Sequence, residues 1–278
     1  HRRLPGEASM TATAPATASR RTAGHYRFRQ VARMEWIKLR TLRSTWWTLA
    51  ITGAGAVAMA VAIGLNTRNP RGDLTNNALA GVVPGLLLTG VLGVLVVTSE
   101  YTSGLIRGTL AAVPRRPLVL AAKAAVFAGT TLVLGEAASF TAFFAGGAAL
   151  RHGIAAPALT QPGVLRAVVL SGASFCLIGL LGLGLGAIIR HTAAAVGALV
   201  GGVWILATIA ASLAHGAAAY LPVIIIGNSL SATRTQNCPA RAAQCPHLLS
   251  PWAGLGMLCL YAAIALAAGG WLLTRRDA

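Results

Sequence analysis

Acidic side chains are nearly missing from this chain: six in 278 residues, namely Glu7, Glu35, Asp73, Glu100, Glu136 and Asp277. With so few acids, and no cluster that sets a nucleophile beside a base, acid–base and nucleophilic catalysis have no seat. Lysine is scarcer still, with Lys38 and Lys123 against twenty-one arginines. Neither lysine follows a glycine as the phosphate-cradling G-x-x-x-x-G-K-[ST] loop requires, so the chain is read as hydrolysing no nucleotide by itself. Charged residues of every kind make up 10%, where soluble domains carry about 25%. Water is not the main solvent of such a chain. The preference for arginine, together with the alanine and glycine richness, reads as a coding bias with no bearing on mechanism.

What is present is apolar: 55% of residues are hydrophobic and the mean hydropathy is +0.68. A bilayer span takes about 20 mostly apolar residues. The sequence offers six such runs, roughly 46–65, 79–98, 118–149, 165–189, 193–213 and 252–273, the fourth and fifth separated only by Arg190-His191-Thr192. An even number of spans places both termini on one side. Counting lysine and arginine from residue 25 onward, thirteen fall on the side of the termini and six on the other. That asymmetry predicts an N-in, C-in orientation. The net charge of +17 therefore reads as membrane topology and not as nucleic-acid binding, because the basic residues flank apolar runs instead of covering a face.

Residues 1–24 are rich in Ala, Thr, Pro and Arg with no apolar period, and predict a disordered cytoplasmic tail. Arg20-Arg21 does not make an export signal, because the apolar run begins only near Trp46 and is a full bilayer long. Residues 25–44 have helical period, and residues 45–278 form the transmembrane domain. In the former and just beyond it, Phe28, Val31, Ala32, Leu39, Leu42 and Trp46 share one stripe, flanked by Arg29, Arg33, Lys38 and Arg40. This predicts an amphipathic helix lying in the inner headgroup region. Glu35 falls inside the apolar stripe. It either pairs locally or meets a basic group from another element, with Arg107 the candidate.

Within the spans, Gly81/Gly85, Gly182/Gly186 and Gly197/Gly201 recur four apart, a spacing that lets helix backbones approach closely. Pro84 is expected to kink the second span. Glu136 lies deep in the third, where a charge is costly and tends to face a bundle interior or a cavity; Pro84 and Glu136 are the candidate transport-pathway residues. Asp73 and Asp277 read as solvated surface charges. Cys176 and Cys259 fall within spans as packing residues. Cys238 and Cys245, separated by six residues in the outer segment, are read as a disulfide, with a metal site using His247 and free thiols as rivals. The same segment holds Val223 to Ile226, too short to span, and predicts a re-entrant or surface-lying cap between spans five and six.

The stretch EYTSGLIRGTLAAVPRR, residues 100–116, interrupts the apolar runs with seventeen punctuated, polar residues where a turn would suffice. By topology it is the first cytoplasmic loop, long enough for a short helix parallel to the membrane. Four pieces, EWIKLRTLRSTWW (35–47), SEYTSGLIRGTLAAVPRRPLVLAAK (99–123), GEAASFTAFFAG (135–146) and the end from Leu249, resemble in order and topology the ABC-2 type permease subunits of bacterial ABC exporters. The resemblance covers nearly the whole chain after residue 25; the outer loop with its two cysteines matches least. It implies an all-α fold of six spans with an elbow helix, a cytoplasmic coupling helix and an outer cap. It also implies a bacterial cytoplasmic-membrane location and an assembly of two permeases (a second copy or a paralogue) with two separately encoded ATPases. ATP and magnesium would belong to the ATPase. The coupling residues it implies are Glu100, Tyr101, Thr102, Gly104, Arg107 and Thr109, with Glu35 and Lys38 in the elbow and Arg190 as a smaller contact. The cargo would be apolar or amphipathic: a drug, natural product, lipid or peptide. Two readings from other classes stand beside it, an ion-coupled secondary transporter using Glu136 and a non-transporting anchor for a soluble partner.

Overall fold

The computed structural model describes residues 27–68, 73–113, 115–151, 153–206, 209, 218–232 and 248–275. The predicted tail and the Cys238–Cys245 pair lie outside these residues. Among those described, the chain is helical throughout, without a strand. Helix α1 spans Phe28–Thr41 and α2 spans Arg43–Asn66. A short α3 (Leu74–Leu79) runs into α4 (Val82–Thr102), followed by α5 (Leu105–Ala112) and α6 (Arg116–Ala148). Then come α7 (Val164–Ile189), α8 (Thr192–Gly197), a π-helical stretch Ala198–Leu206, α9 (Pro222–Ser229) and α10 (Pro251–Arg275).

Five of these units are long and apolar enough to cross a membrane: Arg43–Asn66, Leu74–Thr102, Arg116–Ala148, Val164–Ile189 and Pro251–Arg275. They correspond to five of the six expected runs. The run expected at 193–213 differs. It leaves α-helical register at Ala198 and is described only as far as Leu206, apart from the isolated Ile209, so over these residues it is too short to count as a span. Among the described residues the chain is thus all-helical, with five helices able to cross a membrane, the character of a multi-pass membrane protein.

The helix α7 is the hub. It packs against α4, α6 and α10, and 67% of its most apolar window is buried, against 22% for α2 and for α10 at the periphery. Close approach of backbones makes the α4–α7 crossing. A Cβ on Gly93 would run into the carbonyl of Gly179, and one on Gly182 into that of Gly90. A Cβ on Gly186 would sit 3.0 Å from the Val94 carbonyl oxygen. The third glycine pair behaves otherwise: Gly197 and Gly201 face nothing within 4 Å. Their side of α8 and the π stretch meets no partner among the described residues.

Pro84 does not bend a continuous helix. Its ring would clash with the carbonyl of the residue four back, Ala80, and the helix stops there, at the Ala80–Gly81 turn between α3 and α4. Pro84 itself occupies the first turn of α4, where no backbone donor is missed.

The ends of the helices sort onto two faces. At one face Arg116 Nη1 donates to the Leu273 carbonyl (2.9 Å) and Arg190 Nη2 to that of Leu272 (3.2 Å), so the negative end of α10 receives two guanidinium groups. At the other, Asp73 accepts from the amides of Asn76 (3.0 Å) and Ala232 (3.2 Å). Arg166 donates there to the carbonyls of Ser231 (3.0 Å) and Ala232 (3.1 Å). Asp73 is therefore a structural cap and tie, not the solvated charge the sequence suggested. The helix α9 rises along the first half of α10. Its lower end is held where Tyr261, ten residues into α10, donates to the Tyr220 carbonyl (2.8 Å), and its upper end where Asn228 donates to the Leu249 carbonyl (2.7 Å). Eight residues make about 12 Å of helix, a half-height element folded back beside a full one.

The two kinds of glycine separate in a test. Gly182→Val should lower resistance to unfolding in a titration of SDS into dodecylmaltoside, by at least the ~1–3 kcal/mol typical of overpacking. Gly201→Val should leave the same curve within ~0.5 kcal/mol.

Candidate functional site

At the face that carries α1, four charged side chains meet. The helix α1 buries Val31, Glu35 and Leu39, four residues apart along one face. Val31 packs with Val113, Val119 and Ala122, and Leu39 with Leu120, Phe127 and Leu183. This apolar grip on α6 forces Glu35, midway between the two, into the interior at 3% exposure. Its carboxylate takes a hydrogen bond from Lys123 Nζ at 2.6 Å and another from Lys38 Nζ at 3.1 Å. Glu100, near the end of α4 and 7% exposed, presents Oε1 to the same two lysines, Lys123 at 2.8 Å and Lys38 at 3.1 Å. Lys38 gives its third proton to Thr109 Oγ1 of α5 (3.1 Å), whose own hydroxyl donates to the Leu105 carbonyl (3.1 Å). Four helices, α1, α4, α5 and α6, are thereby fastened at one point.

The short α5 hangs from this knot. Gly104 precedes it with φ +71°, a left-handed conformation that a residue with a Cβ adopts only at a cost. Ser103 donates its hydroxyl to the Ser99 carbonyl (2.7 Å) and Thr102 does the same (3.1 Å), which ends α4 one residue before the turn. Leu105 at the start of α5 is 63% exposed, and Gly104 and Gly108 have open space around them. Arg190 ends α7, likewise with positive φ (+61°). Its guanidinium lies 5.3 Å from the centroid of the Tyr101 ring while holding the Leu272 carbonyl. Arg190 is thus turned onto the bundle, where the resemblance pointed it toward a partner.

Of the residues singled out from sequence, Glu35, Lys38, Glu100 and Thr109 come together, and Tyr101, Thr102, Gly104 and Arg190 flank them. Glu35 has both a local partner and one from another element. The distant partner is Lys123, in the place expected of Arg107, whose side chain lies outside the described residues. Lys123 had been counted only as a topological charge. The signal was present: it lies seven residues inside the apolar α6, where a charge needs a partner, and both lysines of the chain end in this one cluster. Cys176 is buried as expected, whereas Cys259 is exposed.

Glu136 stands apart, at the α6–α7 crossing. A Cβ on Gly172 would lie 2.5 Å from its carboxyl carbon, so the carboxyl is laid across a glycine. Its Oε2 is buried with no hydrogen-bond partner among the described residues. One helical turn on, Ser139 donates to the Val168 carbonyl (2.7 Å) and contacts the Ser171 hydroxyl. Pro84 is far from this group in role as well as sequence: it is exposed, on the free side of α4 with Leu88 and Leu95. Among the described residues no three His, Cys, Asp or Glu side chains gather as a metal would need. Comparison with protein-family models and with curated proteins finds no match for this chain.

Burial alone would pull the Lys38 pKa down, but the carboxylates of Glu35 and Glu100 outweigh it and hold the ammonium above the ordinary lysine value. A raised lysine pKa favours the folded state at all pH below the unfolded value, and that contribution fades as pH climbs through the folded one. Stability should therefore show no alkaline loss from this group below about pH 10. Lys123→Met leaves two buried carboxylates short of a cation and should cost about 3–5 kcal/mol in the same SDS titration. Lys123→Arg should recover only part of it, since a planar fork replaces a compact ammonium.

Proposed function

We propose that this chain is the transmembrane permease subunit of an ATP-driven exporter of the ABC-2 type. It would sit N-in and C-in, with six spans, in a bacterial cytoplasmic membrane, and work as two permeases with two separately encoded ATPases. The observation that carries this reading is the charge knot. It ties a helix lying before the first span, the end of α4, the short α5 and the start of α6, at the face where Arg116 and Arg190 hold the end of α10. A soluble motor that docks on the exposed side of α5 has there a handle rigidly joined to three longer helices. Displacing α5 drags α4 through the Gly104 turn, and drags α1 and α6 through Thr109, Lys38 and Lys123. Packed helices pass such motion on as discrete rearrangements, here a shift between inward-open and outward-open forms. ATP and magnesium act on the motor subunit in this reading. Arg190 braces the knot from α7 and is not part of the handle.

The open sides of α4 and α8 support a pathway between two permease copies. Pro84, Leu88 and Leu95 line one and Gly197 and Gly201 the other, and few charges interrupt either. Cargo crossing there is apolar or amphipathic. A second reading rests on the unpartnered Glu136 oxygen: a carboxyl held between two helices is where an ion-coupled carrier would take up a proton. The anchor reading, without transport, predicts an intact complex that moves nothing.

The test is purification in mild detergent followed by efflux of an amphipathic dye. An ATPase subunit should accompany the chain in equal amount. Arg107→Glu should keep that complex while lowering dye efflux at least about tenfold, a loss of ~1.4 kcal/mol in coupling; unchanged efflux removes the coupling role of α5. Replacing Glu35, Lys38, Glu100 and Lys123 together by Leu or Met should restore much of the stability lost in Lys123→Met but not the efflux. Efflux that survives ATP depletion, collapses with the proton gradient and is lost in Glu136→Gln would give the carrier reading instead.

A further inference from the structure

Between α1 and the α4–α5 turn lies a cleft of about 540 Å³, within the range of small-molecule sites, about 300–1,000 Å³. Its walls are mainly apolar, with Leu39 and Leu42 on one side and Val96, Leu105 and Val126 on the other, and carry the hydroxyl side chains of Thr41, Thr45, Ser99 and Ser103 besides. Its floor is the charge knot. There Glu100, 7% exposed, keeps Oε2 without a hydrogen-bond partner among the described residues, although its Oε1 serves two lysines. Lys123, 6% exposed, gives two protons to Glu35 and Glu100, and an ammonium has three. Lys38 has spent all of its own. The mouth is formed by Leu42 and Leu105, 51% and 63% exposed.

We propose that this cleft binds a neutral amphiphile through a hydroxyl head, a monoacylglycerol being the simplest example. The floor carries two carboxylates and two ammonium groups, so it has no net charge with which to select an ion. A cationic head would meet the two lysines that already share Glu100. An anionic head would meet both glutamates. What the described floor residues leave open is one donor, for Glu100 Oε2, which is closed off in the cleft as it stands and is reached as the carboxylate turns toward it, and one acceptor, for the third Lys123 proton. A hydroxyl supplies both from one atom, and leaving such buried groups unmatched is what gives a polar site its selectivity. The chain attached to the hydroxyl then lies between the leucine and valine walls and leaves past Leu42 and Leu105, on the side where α1 ends and α2 begins. Neither the motor subunit nor transport enters this assignment; it holds or falls with the cleft.

The full chain in phosphatidylcholine nanodiscs, supplied with a monoacylglycerol carrying a diazirine in its acyl chain, gives the test by photolabelling and peptide mapping. Label should concentrate about tenfold in peptides covering residues 39–45 and 96–105 over those of the exposed sides of α2 and α10, as ~1.4 kcal/mol of preference predicts. Unlabelled mono-oleoylglycerol should displace it and methyl oleate, which has the chain without the hydroxyl, should not. Leu42→Trp and Leu105→Trp fill the mouth and should abolish the enrichment, while Val133→Trp, at a position 68% exposed on α6, should keep it. Octane-1,2-diol competing from the aqueous phase as well as mono-oleoylglycerol would identify a water-borne ligand of the same chemistry; failure of the diol alone would identify the bilayer as source. Equal competition by methyl oleate, label spread evenly over exposed faces, or wild-type labelling of both tryptophan variants would overturn the proposal.

Discussion

Two carboxylates and two ammonium groups, all but Lys38 nearly inaccessible to water, fix how four helices of this chain meet. Removing such charges from water is expensive, and an apolar set of equal volume would serve stability as well or better. What the charged set adds is geometry. Each contact is 2.6–3.1 Å and directional, so α1 cannot slide or roll on α6 without breaking a buried pair, whereas leucines would tolerate several registers. Lysine suits the role better than the arginine that the chain uses everywhere else. Its protons radiate from one small atom and can reach acceptors on three different helices, while a guanidinium offers a flat fork made for two oxygens of one partner.

The second constraint is steric and lies at the other helices. The crossing of α4 on α7 is made by glycines whose missing Cβ atoms let carbonyl meet backbone, so this pair has a single depth of approach. The knot and the glycine crossing share α4: the first fixes its end and the second its middle. Around this stiff centre, α2 and α10 present most of their surface outward, and α8 with the π stretch is held by few neighbours among the described residues. A π-helical register costs some backbone geometry and recurs where helices are asked to change shape.

The long helices were legible because an apolar run of bilayer length has few alternatives, and their boundaries at Arg43, Arg116, Val164 and Pro251 fall within a few residues of the predicted ones. Glu35 was legible as an anomaly, an acid on an apolar stripe. Its distant partner was not, because a helical wheel shows which face a residue occupies and nothing about what will face it. Lys123 was visible as one of only two lysines, a rarity attributed to codon usage that turns out to have a spatial meaning. Asp73 was misread for a related reason: its tie to Ala232 spans 159 residues, and only the folded chain brings that loop within reach. Pro84 was rightly marked as a disruption, but the carbonyl it clashes with lies four residues upstream, so the break appears at Ala80–Gly81. The fifth expected run was read from hydropathy alone, which carries no information about hydrogen-bond register.

In the proposed exporter a handle and a gate would have opposite mechanical needs, and the distribution of contacts suits both. Force applied at α5 reaches α4 and α6 with little loss only if the joints between them are stiff, and the shortest, most buried hydrogen bonds of the knot are the ones Lys123 makes to Glu35 and Glu100. A surface that must change partners during a cycle has to be free of such bonds, and the open sides of Pro84, Gly197 and Gly201 are apolar or backbone only. Were the knot placed on that surface, every cycle would have to break buried ion pairs, at about 3–5 kcal/mol for each partner lost. Placed behind α5, at one end of the bundle, the same charges would on that reading move as a unit, so that their attraction would transmit motion without opposing it.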